Sequence, residues 1–219
     1  RSQLLPGTDP EALRNYGSAL EEARADLFAL YYIMDDKMQE LRILPSLEVA
    51  KAEYNAYIRN GLMTQLTRIE LGKTVEQAHM RNRQIIASWA YEQGRADNVI
   101  EKVIRDGKTY FVIRDYEALR EIFGRLLREV QRIKSEGDYD AGKLLVENYG
   151  VKIDYDLHKE VKERYARLNL APYSGFINPI YNTIEENGEI SDVKISYPDN
   201  YTEQMLYYSD NYSFFPAYN

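Results

Sequence analysis

The stretch Ala19-Leu20-Glu21-Glu22-Ala23-Arg24-Ala25-Asp26-Leu27-Phe28 has helical periodicity and decides the fold. A helix rotates by about 100° per residue, so the apolar side chains line up along one side of it. This apolar stripe comprises Leu20, Ala23, Leu27, Leu30, Tyr31 and Met34. Glu22 and Asp26 share a different face, and their neighbours there are Ala19, Ala29 and Ile33. A helix that is apolar on nearly every side is usually buried, so we expect both carboxylates to be buried. A buried carboxylate is protonated, paired or bound to a metal. The pattern alone leaves open a salt bridge of the Arg24 type, a partner on another helix, and a metal.

Helical patterns continue on both sides of this stretch. Asp9 and Pro10 form a helix start, and Thr74 with Gln77 forms a capping box that predicts a second start. The helices predicted are 9–34, 46–70, 74–93 and 116–134, with weaker patterns over 140–149 and 155–168.

Two turn signals interrupt the helical pattern. Asp106-Gly107 and Asn187-Gly188 each lie between apolar runs, which predicts short β-hairpins over 103–113 and 183–197. The last twenty residues are rich in Tyr, Asn, Ser and Pro and are predicted to be extended or loop. The fold class is therefore mainly α, a helical lobe with two short β-hairpins and an extended C-terminal tail. We divide the chain into a helical part, 1–168, and a tail with a hairpin, 169–219.

Composition excludes several classes of protein. The chain has 219 residues, a net charge of −7 and a pI near 5.1, which argues against nucleic acid or an anionic membrane as the main partner. No apolar run approaches the ~18 residues that a membrane span needs. Cysteine is absent, so thiolate metal sites and disulfides are impossible.

Glu21-Glu22-Ala23-Arg24-Ala25-Asp26 resembles the EExRAD or EExRAE motif of the dipeptidyl peptidase III family. The resemblance implies that Glu22 is a zinc ligand, because the second glutamate of the motif has that role in the family. Glu21 would hydrogen-bond a zinc-binding histidine and so orient it without contacting the zinc, as carboxylates near zinc sites usually do. We assign Asp26, one turn after Glu22, the same role of supporting the zinc ligands without binding the zinc.

A second segment carries the same resemblance. Gln77-Ala78-His79-Met80 with Arg83 is similar to a family segment whose histidine stabilises the transition state and whose arginine holds the peptide. The resemblance thus makes His79 catalytic and Arg83 substrate-binding, although an isolated histidine is more often a core or boundary residue. A further arginine near the cleft corresponds to Arg164 or Arg167. We assign Arg167 to substrate binding, with the choice between the two left open.

The 219 residues contain no HExxGH or HExxH, and their only histidines are His79 and His158. We expect His158 to be solvent-exposed on a charged helical face. In the family the HExxGH motif precedes EExRAD and supplies two zinc-binding histidines and the glutamate base. We therefore expect a C-terminal fragment whose catalytic lobe is incomplete at its N-terminus and whose N-terminal lobe is missing.

The parent enzyme would use zinc to release N-terminal dipeptides from short peptides, whereas this chain alone should bind no zinc and be inactive. Apolar faces left without their partners predict self-association. A cytoplasmic location is favoured, with export open while the native N-terminus is unknown. The alternative is a free-standing helical interaction domain that keeps the same scaffold without catalysis.

Overall fold

The computed structural model of the chain describes residues 4–170 and 175–214. It is mainly helical and contains two separate two-stranded antiparallel sheets, which confirms the predicted fold class. The chain divides into two compact units between Leu168 and Asn169. Each unit is described by itself below.

The first unit contains seven α-helices and one hairpin among its described residues. The helices are α1 (Gly17–Ile33), α2 (Lys37–Glu40), α3 (Leu47–Leu62), α4 (Ala78–Gln93), α5 (Tyr116–Glu136), α6 (Tyr139–Val146) and α7 (Tyr155–Ala166). The strands are β1 (Ile100–Arg105) and β2 (Lys108–Ile113). Two 3₁₀ segments, Arg14–Tyr16 and Thr64–Arg68, and a π-helical turn, Glu147–Val151, complete the unit.

Helix α1 lies at the centre of the first unit and packs against α4 and α5. Its predicted apolar stripe is buried: Leu20, Ala23 and Leu27 are fully inaccessible, and Leu30 and Met34 are 3% exposed. Complete burial of one leucine side chain stabilises the fold by about 1.5–3 kcal/mol. The stripe therefore anchors the helix, and it determines which way the face with Glu22 and Asp26 points.

Local sequence signals determine several element boundaries. The Asp115 carboxylate accepts a hydrogen bond from Ala118 N at 2.9 Å and so caps α5. The same helix ends at Gly137, whose φ of 67° is left-handed. Asp106 and Gly107, with φ of 49° and 67°, form the turn between β1 and β2, as their sequence predicts.

Two predicted helix starts are wrong. Asp9 caps only a turn, through Glu11 N at 2.9 Å, and α1 begins at Gly17 after a 3₁₀ segment. Helix α4 begins at Ala78 rather than at Thr74. The reason is a tertiary contact: Val75 is fully buried, and its N–H donates to the Val151 carbonyl at 3.1 Å, which keeps this segment out of the helix.

His158 is also placed differently from the prediction. It is 1% exposed, and its Nε2 lies 3.1 Å from the Leu66 carbonyl oxygen and 3.2 Å from that of Ile69. Helix α7 packs against the 3₁₀ segment Thr64–Arg68, so the histidine turns inward towards one carbonyl of this segment and one of the residue that follows it. Its neighbours Asp156 and Lys159 are exposed, whereas Glu160 is half-buried and accepts a hydrogen bond from Thr109 N at 2.7 Å.

The second unit consists of β3 (Ile180–Glu186), β4 (Glu189–Ser196) and α8 (Tyr201–Tyr212). The predicted turn at Asn187-Gly188 is present, with φ of 55° and 82°. The extended tail is a wrong prediction for 201–212, which are helical; residues 215–219 lie outside the described part of the chain. The missed signal is a cap: the Asn200 side chain accepts from Glu203 N at 3.0 Å.

Candidate active site

Glu22 on α1 and His79 on α4 face each other. Glu22 Oε2 lies 3.3 Å from His79 Nδ1, which is an ion-pair distance when the imidazole is protonated. The side chains are 37% and 55% exposed, so the pair opens to solvent. The contact leaves His79 Nε2 as the nitrogen available to a ligand.

Asp26, one helical turn beyond Glu22, joins three helices. Its Oδ2 accepts hydrogen bonds from Tyr57 Oη on α3 at 2.8 Å and from Asn82 Nδ2 on α4 at 3.1 Å. Asn82 is 1% exposed. Burial, followed by the charge of Asp26, holds the pKa of Tyr57 well above its usual value, so the phenol stays a donor. Asp26 therefore links α1 to α3 and α4 one helical turn from the Glu22–His79 pair.

The expected burial of the two carboxylates is wrong. Glu22 and Asp26 are half-buried, because the face that they share is only partly covered. Ala19 is 2% exposed and Ile33 is half-buried, but Ala29 is exposed. The apolar residues of this face therefore differ in exposure, and the carboxylates between them are partly open to solvent.

Glu21 points away from this pair, towards α5. Its carboxylate lies 2.6 Å from Arg24 and 2.9 Å from Lys134 Nζ. The hydrogen bond from Arg24, with a further contribution from Lys134, lowers the pKa of Glu21 to about 2. The Arg24 salt bridge suggested by the sequence is therefore real, but its acid is Glu21 rather than Glu22 or Asp26.

Arg83 lies one turn after His79 on α4 and is half-buried. A Cβ added at Gly61 of α3 would lie 2.5 Å from the Arg83 carbonyl oxygen, so only glycine permits this close approach of the two helices. Within the described ranges, the Arg83 guanidinium makes no hydrogen bond or ion pair. Its charge remains available for a carbonyl or carboxylate of a ligand.

Arg164 and Arg167 have different surroundings at the end of α7. Arg164 Nη1 donates to the Thr109 carbonyl at 2.7 Å and to Glu160 at 3.0 Å, and its guanidinium lies 5.0 Å from the centre of the Tyr110 ring. Arg164 therefore fastens α7 to β2. Arg167 is exposed, and no hydrogen bond or ion pair in the described structure connects it to Glu22 or His79.

The sequence matches a family model over most of its length. The model of peptidase family M49 aligns with residues 8–198, which is most of the chain. The chain belongs to peptidase family M49. This membership confirms the dipeptidyl peptidase III resemblance that the EExRAD-like and Gln77–Arg83 segments indicated.

A solved structure shares the fold of this M49 chain. The structure of DPP III from Caldithrix abyssi superposes with a TM-score of 0.52 at 20% identity over 74% of the chain. The aligned part spans only 28% of that DPP III chain. No curated protein matches the chain. None of the helices in the described part is long and apolar enough to cross a membrane.

Metal-binding side chains were sought in the part of this M49 chain that the structure describes. A catalytic zinc takes three protein ligands and keeps one position open. In the described residues, no group of three or more His, Asp or Glu side chains could hold a metal. Glu22 and His79 offer two groups that could bind a metal, and Glu22 Oε2 and His79 Nδ1 face each other.

Sequence reasoning missed Tyr57 and Asn82, the two partners of Asp26. Asn82 follows His79 by three residues on the same flank of α4, so helical periodicity could have indicated it. Tyr57 had no usable signal, because its role depends on how α3 packs against α1.

Proposed function

We propose that this chain is the C-terminal part of the zinc-binding lobe of an M49 dipeptidyl peptidase. The parent enzyme would remove dipeptides from the N-termini of short peptides. The observation that carries the proposal is the 3.3 Å contact between Glu22 and His79, because two segments far apart in sequence meet at one solvent-open point. The partial coverage of the DPP III chain also supports a fragment.

Each of three residues would have a different role in the site: Glu22, His79 and Arg83. Glu22 would be the carboxylate ligand of the metal. In its protonated form, with Nδ1–H facing Glu22, His79 would donate from Nε2 to the oxygen of the scissile carbonyl as negative charge develops on it, a placement typically worth about 3–4 kcal/mol. Arg83, further along the same flank of α4, would hold the peptide. Its lack of a partner among the described side chains supports this role.

The remaining assigned residues would support these three. Asp26 would act by holding α1 and α4 together through Tyr57 and Asn82. Glu21 would orient a zinc-binding histidine of the parent enzyme. Its observed partners in this chain are Arg24 and Lys134. Arg167 would be the second peptide-binding arginine, because Arg164 is already hydrogen-bonded to the Thr109 carbonyl of β2.

The metal's other ligands and the general base would come from residues outside the 219. The M49 family is zinc-dependent, and Glu22 is the residue of this chain that would contribute to that site. The chain alone should therefore hold no stoichiometric zinc, and the N-terminal lobe of the enzyme would be its partner. A cytoplasmic location also remains a proposal.

The test compares this chain with the product of the longer reading frame. We expect an in-frame HExxGH upstream, one zinc per longer chain by metal analysis after dialysis, and hydrolysis of a dipeptidyl-arylamide. A native start codon at this position would instead support the free-standing interaction domain. One tightly held zinc, or turnover, in the 219-residue chain itself would overturn the proposed fragment, because the site would then not be the one proposed.

A further inference from the structure

A cavity of about 460 Å³ lies beside the C-terminal end of α4, between this helix and the π-helical turn Glu147–Val151. Glu92, which lines it, follows His79 by 13 residues on α4, a helical rise of about 20 Å. The cavity is therefore separate from the Glu22–His79 pair, and its volume is typical of small-molecule sites. Its lining residues are Ser88, Tyr91, Glu92, Arg95, Asn148 and Tyr149.

Glu92 supplies the negative charge of the cavity. Its Oε1 accepts a hydrogen bond from the Tyr149 hydroxyl at 2.8 Å. Burial, followed by this hydrogen bond, raises the pKa of Tyr149, so the phenol keeps its proton and remains the donor. A carboxylate that only accepts a hydrogen bond stays negatively charged. Glu92 is exposed, so a ligand can reach this charge from the solvent.

Arg95 supplies the positive charge. Its main-chain N–H donates to the Glu92 carbonyl at 3.2 Å in the turn that ends α4, so the two side chains start close together. The Arg95 guanidinium nevertheless makes no hydrogen bond or ion pair with any residue in 4–170 or 175–214, because Glu92 is hydrogen-bonded to Tyr149 instead. The cavity thus holds two opposite charges that are not in direct contact.

The rest of the lining combines aromatic and polar groups. The half-buried rings of Tyr91 and Tyr149 form flat walls, and Tyr91 packs edge-on against Phe111 with ring centres 5.2 Å apart. Ser88 and Asn148 add a hydroxyl and an amide, each of which can donate or accept a hydrogen bond. A ligand would therefore meet apolar surface next to the two charges.

The balance of charge determines the class of ligand. One carboxylate and one guanidinium make the cavity neutral, so an anion or a cation would be attracted by one group and repelled by the other. A zwitterion carries an ammonium and a carboxylate on one molecule and can pair with both groups. Free amino acids and short peptides have these two groups at the ends of a neutral backbone.

We propose that this cavity binds a zwitterionic amino acid or dipeptide. The ammonium group of the ligand would donate to Glu92. Its carboxylate would accept from the Arg95 guanidinium, whose planar fork suits carboxylates. An apolar side chain would pack on the ring of Tyr91 or Tyr149. The proposal does not depend on the peptidase function, because every residue involved lies outside the candidate active site.

Isothermal titration calorimetry on the 219-residue chain measures the binding of leucine and of the dipeptide Leu-Leu, which represent the two sources of such a ligand. Matched forms of each lack one charge: the N-acetyl form has no ammonium, and the C-terminal amide has no carboxylate. The protein variants are Glu92→Gln, whose amide oxygen can still accept from Tyr149, and Arg95→Gln. The control is Glu121→Gln with Arg125→Gln, an exposed acid and an exposed arginine on α5 outside the cavity.

We expect one molecule of leucine or Leu-Leu to bind per chain, and the tighter of the two identifies the source. Blocking either end of that ligand, or making either protein variant, should weaken binding by about tenfold or more, because hydrogen bonds between charged groups are lost. The α5 control should leave binding unchanged, and so should Arg83→Gln.

Three results would overturn the proposal. The first is that neither leucine nor Leu-Leu binds. The second is equal binding of a blocked form, or equal binding to Glu92→Gln or Arg95→Gln. The third is loss of binding in Arg83→Gln with Arg95→Gln unaffected, because the ligand would then lie in the candidate active site. Zinc content and turnover of the longer protein do not enter this test, so its failure leaves the proposed peptidase function untouched.

Discussion

The Asp26 carboxylate accepts a hydrogen bond from Asn82 Nδ2 at 3.1 Å, one helical turn beyond the Glu22–His79 contact. Two successive contacts therefore join α1 to α4, and the inner one also reaches α3 through Tyr57. The outer contact is open to solvent, whereas Asn82 in the inner contact is buried. Asp26 thus holds the three helices together next to the outer pair.

Replacing Asp26 should therefore destabilise the fold. Asp26→Leu leaves the Tyr57 hydroxyl and the Asn82 amide without their acceptor, which we expect to lower the free energy of unfolding by about 1–3 kcal/mol. Urea denaturation followed by circular dichroism measures this loss. Asp36→Asn, at an exposed acid between α1 and α2, is the control and should stay within about 0.5 kcal/mol. Equal stability of the two variants would show that the inner contact does not support the helices.

The two adjacent glutamates should behave differently towards zinc in the longer protein. Glu22→Gln should lose the metal, because an amide is a poor zinc ligand. Glu21→Gln should keep it with an affinity about 10- to 100-fold weaker, as with other supporting carboxylates. Metal analysis against a series of chelator concentrations measures both. Full zinc content in Glu22→Gln would remove Glu22 from the ligand set, and an unchanged affinity in Glu21→Gln would limit that residue to its ion pairs.

The proposed roles of His79 and Arg83 predict different kinetic effects in the longer protein. His79→Ala should lower kcat by about 10²- to 10³-fold with unchanged zinc content, because its donor acts on charge that develops in the transition state. Arg83→Ala and Arg167→Ala should act mainly on KM, since both residues would bind the peptide in the ground state. Arg164→Ala is the matched control and should lower stability rather than peptide binding. A large rise in KM for His79→Ala with kcat unchanged would contradict its assignment.

The ion pairs of Glu21 predict a dependence of stability on pH. The folded pKa of about 2 lies below the usual 4.5, so the contribution of Glu21 is fully present above about pH 4.5 and is lost as the pH falls towards 2. Because its side chain is 44% exposed, solvent screening limits this contribution to about 1 kcal/mol. Thermal unfolding of wild type and Glu21→Gln should converge over that interval. Glu48→Gln, at the exposed pair with Lys51, controls for the loss of a surface carboxylate, and a Glu21→Gln deficit that persisted at pH 2 would refute the linkage.

The exposed apolar face of α1 predicts self-association of the isolated chain. Phe28 and Tyr32 are 54% and 38% exposed, and their ring centres lie 4.6 Å apart next to the exposed Ala29. Sedimentation velocity should show a concentration-dependent dimer that Phe28→Lys disrupts. Leu144→Lys, at an equally exposed leucine on α6, should leave the dimer intact. A monomer at every concentration, or equal disruption by both variants, would show that this face is not an interface.

Features that depend on neighbouring residues could be predicted from the sequence alone. The turns at Asp106-Gly107 and Asn187-Gly188 and the buried stripe of α1 follow from backbone preferences and helical periodicity, which act over a few residues. Asn200 and Glu203 carried an equally local cap signal for α8, but the composition of the tail obscured it. The family resemblance, which rests on short motifs, was also available from the sequence.

Only the tertiary structure decided which side chains meet. Val75 stays out of α4 because its N–H pairs with the Val151 carbonyl, and His158 turns inward because the segment Thr64–Arg68 presents carbonyls to it. Glu21 lies against Lys134 while its neighbour Glu22 lies against His79. Adjacent residues on a helix point about 100° apart. The packing of α1 between α4 and α5 therefore determines which glutamate is in an ion pair and which one faces the candidate site.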